Sequence, residues 1–416
     1  MTLFSVLFVI ALVIATATRA WLALRHIGHI QRHRAHVPKE FSGEIALDAH
    51  QKAADYSAER TRLGFNHSVV DVLLLLVLTF GGLAQGMDNL AASWIASDLW
   101  RGVIFLGLLV LVSGLADLPF SYYRTFHVEA KFGFNRMTKA MFFGDLFKQA
   151  AVAVAFGLPL MLAVLWLMEK MGTHWWIYVW VTWVVFNILV MAIYPTFIAP
   201  LFNKFSPMQD GSLKQRIEQL LAKCGFQSKG LFVMDGSRRS SHGNAYFTGF
   251  GKTKRIVFFD TLISRLNETE IEAVLAHELG HFKMRHVVRR MVWTFAVSLA
   301  MLAVLGFVKD QAWFYESLGV SYPASNAMAL VLFFLVTPVF TFLLRPLLSA
   351  YSRKHEFEAD AYAAQHSSAR DLVNALVKLY KDNASTLTPD PLHSAFYDSH
   401  PPAKARIEKL QLLSQG

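Results

Sequence analysis

Seven apolar stretches decide the class of this 416-residue chain: Leu3–Leu24, Val69–Leu83, Ile104–Phe120, Ala151–Met168, Trp176–Ile193, Val292–Val308 and Ala327–Leu344. Each approaches the roughly 20 residues that a helix needs to cross the hydrocarbon of a bilayer. Composition agrees with a membrane protein. The chain is 54% hydrophobic and only 17% charged, against about 25% charged in a soluble domain. The first stretch lacks a basic leader and a small-residue cleavage site, so it reads as an anchor and not as a signal peptide.

The formal net charge of +10 has two candidate explanations, nucleic-acid binding or basic loops beside a membrane. The apolar stretches favour the second, and no nucleic-acid partner is expected. Lys and Arg distribution sets orientation. The loop after the first stretch carries Arg25, Arg32, Arg34, Lys39, Lys52, Arg60 and Arg62, and the loop after the third carries Arg124, Lys131, Arg136 and Lys139. The loops around Asp88–Asp98, Lys170–Thr173 and Asp310–Asn326 are short and poor in cations. This alternation puts the N-terminus outside, and it puts the C-terminus and the segment Tyr194–Arg290 on the cytoplasmic side.

That segment reads as a small α/β unit. Ser212–Cys224 has helical spacing, and Leu231–Met234, Asn244–Thr248 and Ile256–Phe259 are short strand candidates between Gly- and Ser-containing turns. Asn267 with Glu270 three residues later resembles a capping box that opens a further helix. Arg238, Arg239, Lys252, Lys254 and Arg255 read as a solvated or lipid-headgroup-facing patch.

The helix after Asn267 contains His277-Glu278-Leu279-Gly280-His281. Residues four apart share a helical face, so both imidazoles can reach one ion with Glu278 beside it, the H-E-x-x-H arrangement of zinc proteases. Zinc takes N and O ligands and keeps a position for water, which Glu278 can deprotonate. The single cysteine, Cys224, allows neither an internal disulfide nor a cysteine-rich zinc module. A third protein ligand must therefore be His or a carboxylate. Met284 and Val287 stand where one class of zinc proteases has Gly and its third His, and His286 has the wrong offset. The better candidate is Glu356 in His355-Glu356-Phe357-Glu358-Ala359-Asp360. Asp360 shares its face and can accept a ring N–H from a ligand His. Glu358 points elsewhere, and His355 is the competing ligand. With the zinc helix running on into the sixth span, His281 and Glu356 hang about 15 Å and 18 Å below one membrane face at helical rise.

These motifs resemble the integral-membrane CAAX prenyl proteases of type 1. The resemblance rests on the seven spans, on His277–His281 and on Glu356-Phe357-Glu358-Ala359-Asp360. It extends to Asn244-Ala245-Tyr246, to Ser399-His400-Pro401-Pro402 with Arg406, and to Glu129–Thr138. It implies a mainly α polytopic protein whose seven spanning helices enclose a chamber, capped by a small α/β metalloprotease domain. It also implies one Zn2+ per chain held by His277, His281 and Glu356, with catalysis by Glu278 and His400 and with Asp360 behind a ligand. An extended peptide would add along Asn244 and Ala245. Arg406 would bind a substrate carboxylate or pair with a nearby acid.

The expected division is a membrane domain over 1–193, a metalloprotease segment over 194–290, a spanning hairpin over 291–346 and a C-terminal part of the protease over 347–416. The expected substrate is a peptide or protein, prenylated or otherwise membrane-associated. The expected assembly is a monomer in a bacterial inner membrane or an endoplasmic-reticulum membrane. Two rivals stand beside this reading: a quality-control zinc protease of the heat-shock type, and a transporter or channel with a vestigial metal site.

Overall fold

A computed structural model describes residues 2–227, 230–248 and 255–414; Lys252 and Lys254 lie outside the described residues. Among these residues, seven helical segments are long and apolar enough to cross a membrane. Five precede the protease segment: α1 (Leu3–His33), α2 (Leu47–Leu78), α4 (Asp98–Tyr123), α5 (Lys139–Lys170) and α6 (Trp175–Ile193), with α3 (Leu83–Trp94) between α2 and α4. Several outrun their apolar stretches. At 32 residues, α2 is about 48 Å long at helical rise, well beyond a ~30 Å hydrocarbon core. Its polar first half therefore projects from the membrane. An apolar window marks where a helix meets lipid, not where its hydrogen-bond ladder stops.

Two expectations need correction here. The second span ends at Leu78, not Leu83, and residues 83–94 of the expected loop region form α3. Gly82, at φ +72°, makes the break, because left-handed backbone is cheap only without a Cβ. Leu83 belongs to the next helix.

The chain then enters a four-stranded sheet with a few short helices. Their order is α7 (Ala199–Phe202), β1 (Phe205–Pro207), α8 (Ser212–Lys223), β2 (Leu231–Met234), β3 (Ala245–Thr248), β4 (Arg255–Phe259) and α9 (Asp260–Ile263). The sheet order is β1-β2-β4-β3. β2 and β4 run parallel, with Leu231 opposite Ile256, and β3 is an edge strand antiparallel to β4, with Ala245 opposite Phe258.

α10 (Glu268–Lys283) opens with the expected capping box: Glu270 N–H donates to the Asn267 side chain, and Glu270 accepts from Asn267 N–H. It does not run on into the sixth span. Arg285 stands at φ +57° and breaks the helix before α11 (His286–Val308). The hairpin continues through α12 (Ala312–Glu316) and α13 (Asn326–Thr341). A tight turn at Phe342–Leu344 then leads into α14 (Arg345–His366), followed by α15 (Ala369–Asp382), α16 (Pro391–Tyr397) and α17 (Ala403–Leu413).

Among the described residues, two large apolar cores stand beside two smaller clusters. One large core joins Phe8, Leu78, Phe105, Leu165, Leu305 and Leu332 of the spanning helices. The other joins Ile217, Ile256, Leu275, Ala363, Leu376 and Leu410, so residues before and after the spanning hairpin close over one interior. The outer faces of the spanning helices stay apolar and exposed, as at Val110, Val154, Val292 and Phe307, which suits contact with lipid.

α10 and α14 cross at Gly280. A Cβ there would lie 2.9 Å from Ala359 Cα and 3.1 Å from Ala359 O, backbone atoms that cannot move aside as a flexible side chain would. Gly280→Ala is therefore expected to cost about 1–3 kcal/mol through overpacking, read as a lower thermal unfolding midpoint in detergent. An unchanged midpoint would mean the helices are free to separate.

Candidate metal centre

The crossing of α10 and α14 places one turn of each helix face to face. His277 and His281 project from α10, and Glu356 and Asp360 from α14. His277 Nε2 and His281 Nε2 lie 3.2 Å apart. Glu356 Oε2 is 3.5 Å from His277 Nε2, and Glu356 Oε1 is 3.3 Å from His281 Nε2. Two donors held at zinc–ligand distance from a tetrahedral ion are separated by about 3.3 Å, so the three side chains already stand at the spacing of a shared cation. Glu356 is only 7% exposed, and its Oε2 is buried without a hydrogen-bond partner. A buried carboxylate oxygen left unpaired is costly, and a cation among these atoms would satisfy it. The donor set of two imidazoles and one carboxylate suits zinc.

Behind the cluster, His277 Nδ1 is 2.9 Å from Asp360 Oδ1. Arg406 donates to both oxygens of Asp360, from Nε at 2.9 Å and from Nη2 at 2.6 Å. Of the two expectations for Arg406, the structure shows pairing with a nearby acid. Its guanidinium is buried, at 5% exposure, with Nη1 3.8 Å from Glu356 Oε2. Sequence offers no way to separate these roles, because both need the same residue type.

Burial disfavours charge on His277, but the neighbouring carboxylates of Asp360 and Glu356 outweigh it and push the imidazole up to about 9. Glu278 is half-buried on the adjoining face. Burial pushes its carboxyl above the usual carboxylate range, against the opposing pull of His277 and His281.

His400, in the segment before α17, brings Nε2 to 3.5 Å from Glu356 Oε1, with Nδ1 3.0 Å from Ser399 Oγ. It also lines a cavity of 940 Å³ that reaches up between α1, α2 and α13 past Leu12, Arg19, Asp71 and Phe334. The metal cluster therefore adjoins a large space among the spanning helices. Asn244 and Ala245 sit at the start of edge strand β3, where Phe259 N–H donates to Asn244 O. Ala245 packs on the core that contains Leu275 and Leu279 of α10. The basic patch is not uniformly solvated: Arg239 is held by Asp145 and Asn203.

Gly280 is an unspecified position in H-E-x-x-H, and only the helix crossing reveals its role. His286, excluded on its offset, Glu358, read as pointing elsewhere, and His355, the competing ligand, meet beside His281.

Two family models match successive parts of the chain. Residues 26–204 match the one described as CAAX prenyl protease N-terminal, five membrane helices, and residues 207–414 match peptidase family M48. The CAAX prenyl protease 1 homolog of Arabidopsis thaliana is 36% identical over 387 residues, covering 90% of each chain. CAAX prenyl protease 1 of Saccharomyces cerevisiae is 35% identical over 407 residues, covering 91% of this chain and 89% of the yeast protein. The crystal structure of S. mikatae Ste24p matches with a TM-score of 0.92 at 31% identity, over 99% of both chains.

A raised His277 pKa means that a metal must displace a proton. Apparent zinc affinity of the metal-free protein is expected to increase as pH rises from neutrality towards 9, measured by chelator competition. A flat profile over that interval would contradict the protonation of His277.

Proposed function

The chain belongs to peptidase family M48, in its CAAX prenyl protease branch, and on that premise we propose a zinc endopeptidase that cuts near the C-terminus of prenylated or other membrane-associated substrates. Family membership makes it a multi-pass membrane metalloendopeptidase. The observation that carries the proposal is the convergence of His277, His281 and Glu356 at 3.2–3.5 Å around an unpaired buried Glu356 oxygen.

His277, His281 and Glu356 would hold one zinc ion per chain. When bound, zinc supplies Lewis acidity, polarising a carbonyl and lowering the pKa of water to about 7. Glu278, beside the ligands and less acidic through burial, takes the proton of the attacking water and returns it to the leaving amine. Asp360, itself clamped by Arg406, accepts the Nδ1 proton of His277 and leaves Nε2 free to ligate. His400 offers its Nε2–H to the developing oxyanion at the mouth of the cavity. A substrate would add to β3 as a further strand along Asn244 and Ala245, using backbone groups that β4 leaves unpaired. In this reading residues 194–290 and 347–416 form one catalytic unit interrupted by the hairpin 291–346. The Lys and Arg bias of the loops supports the cytoplasmic side for that unit.

Glu278→Ala is expected to retain zinc and lose peptide cleavage by at least about 10²-fold; turnover near wild type would remove the general base. His281→Ala is expected to lose both zinc and activity, and wild-type zinc content in that variant would sink the ligand assignment. A farnesylated CAAX peptide is expected to be cut with higher kcat/KM than its unprenylated form and than an unfolded membrane protein. The reverse order would favour a quality-control protease.

A further inference from the structure

His281 has a second nitrogen, and the structure gives it a partner. His281 Nδ1 is 3.0 Å from Nδ1 of His286, and Nε2 of His286 is 2.9 Å from Glu358 Oε2. An imidazole that offers Nε2 to a metal carries its proton on Nδ1. His281 must then donate to His286, whose Nδ1 must accept. That places the proton of His286 on Nε2, where only a donor suits the Glu358 carboxylate. Every proton along Glu358, His286 and His281 is assigned by this single constraint.

The sequence spacing argues against such a contact, and the backbone explains why it forms. Five residues on, a side chain in an unbroken helix lies about 140° around the axis, so His286 would face away from His281. Arg285 at φ +57° ends α10 and restarts the chain as α11, turning His286 back. That conformation costs a non-glycine residue about 1–2 kcal/mol. The same break leaves His286 only 2% exposed and packed on His355, with ring centroids 3.9 Å apart and planes within 7°.

The stack also discriminates between two uses of the His286, His355 and Glu358 cluster. Imidazole lone pairs lie in the ring plane. Two parallel rings 3.9 Å apart cannot aim both lone pairs at one ion held about 2.0–2.1 Å from each nitrogen. His355 therefore fixes the plane of His286 and does not share a second metal with it.

We propose that His286 and Glu358 are positioning residues that hold the ring of His281 in the orientation and tautomer needed to ligate zinc. This rests on the reading of His281 as a ligand. It gives the two imidazoles matching supports: Asp360 holds His277 directly, and Glu358 holds His281 through an intervening imidazole. Lys354 Nζ stands 3.9 Å from Glu358 Oε1 and balances its charge from the solvent side.

The test measures zinc affinity of the full-length protein in detergent by chelator competition, together with kcat and KM on a peptide substrate. His286→Leu removes both hydrogen bonds and is expected to weaken zinc binding about 10–100-fold with KM within about twofold. His286→Gln is expected to recover most of that loss, because its amide offers an acceptor and a donor where the imidazole did. Glu358→Ala, at a partly exposed position, is expected to shift affinity in the same direction by less, and adding it to His286→Leu is expected to cause no further loss. If His286→Leu fails to fold, Glu358→Ala and His286→Gln decide alone. Zinc affinity unchanged in folded His286→Leu or in Glu358→Ala overturns the proposal, as does a second zinc per chain that disappears in His355→Ala. Wild-type protein without zinc, or zinc that survives His281→Ala, overturns the metal reading and this inference together. Zinc lost on His281→Ala but indifferent to His286 and Glu358 overturns this inference only.

Discussion

The absence of a side chain at Gly280 is the constraint from which the cluster follows. Any Cβ there would strike the Ala359 backbone, so the two helices approach to the limit that their main chains allow. Ala359 sits between Glu356 and Asp360 on one face of α14, and Gly280 sits between His277 and His281 on α10. The smallest residues lie at the crossing, and the polar residues flank it. Close approach therefore brings carboxylates and imidazoles to hydrogen-bonding range without any loop to guide them. Helix-borne groups are also held more rigidly than loop-borne ones, which suits donor atoms that must sit near 3.3 Å from one another.

How much of this was legible depended on whether the signal was local. The i, i+4 pairs His277/His281 and Glu356/Asp360 follow from helical period alone, and the apolar stretches follow from bilayer thickness. The capping box at Asn267 needed only four residues of context. By contrast, His286 was discarded because its offset is wrong for a continuous helix, and nothing in Lys283-Met284-Arg285 announces a left-handed residue. Arginine is an unfavourable choice there, tolerated because the surrounding packing determines it. Arg406 carries two readings in the sequence, and only the structure shows its paired bonds to Asp360. Helix α3 occupies part of the region read as a short, cation-poor loop around Asp88–Asp98. Asp88 is in fact buried against Arg101.

The cluster and the cavity meet at His400. Its ring touches Glu356 on one side and lines the space among the spanning helices on the other. That space carries Arg19, Arg60, Asp71 and Arg345 beside Leu12 and Phe334, a lining with both ionic and apolar character. Ionisable side chains at membrane depth face protein interiors or water-filled cavities and seldom lipid, and the arrangement here conforms to that rule.

The shared core on either side of the spanning hairpin has a temporal consequence. The apolar face of α10 is covered by Ala363, Leu372, Leu376 and Leu410, residues that a ribosome makes long after Leu275 and Leu279 have emerged. Until α13 has entered the bilayer and the last helix has been released, that face stays uncovered and the two histidines lack their carboxylate neighbour. A half-synthesised chain is thus incompetent by construction. The cluster of His277, His281, Glu356 and Asp360 comes together only after the hairpin between its two halves has been made.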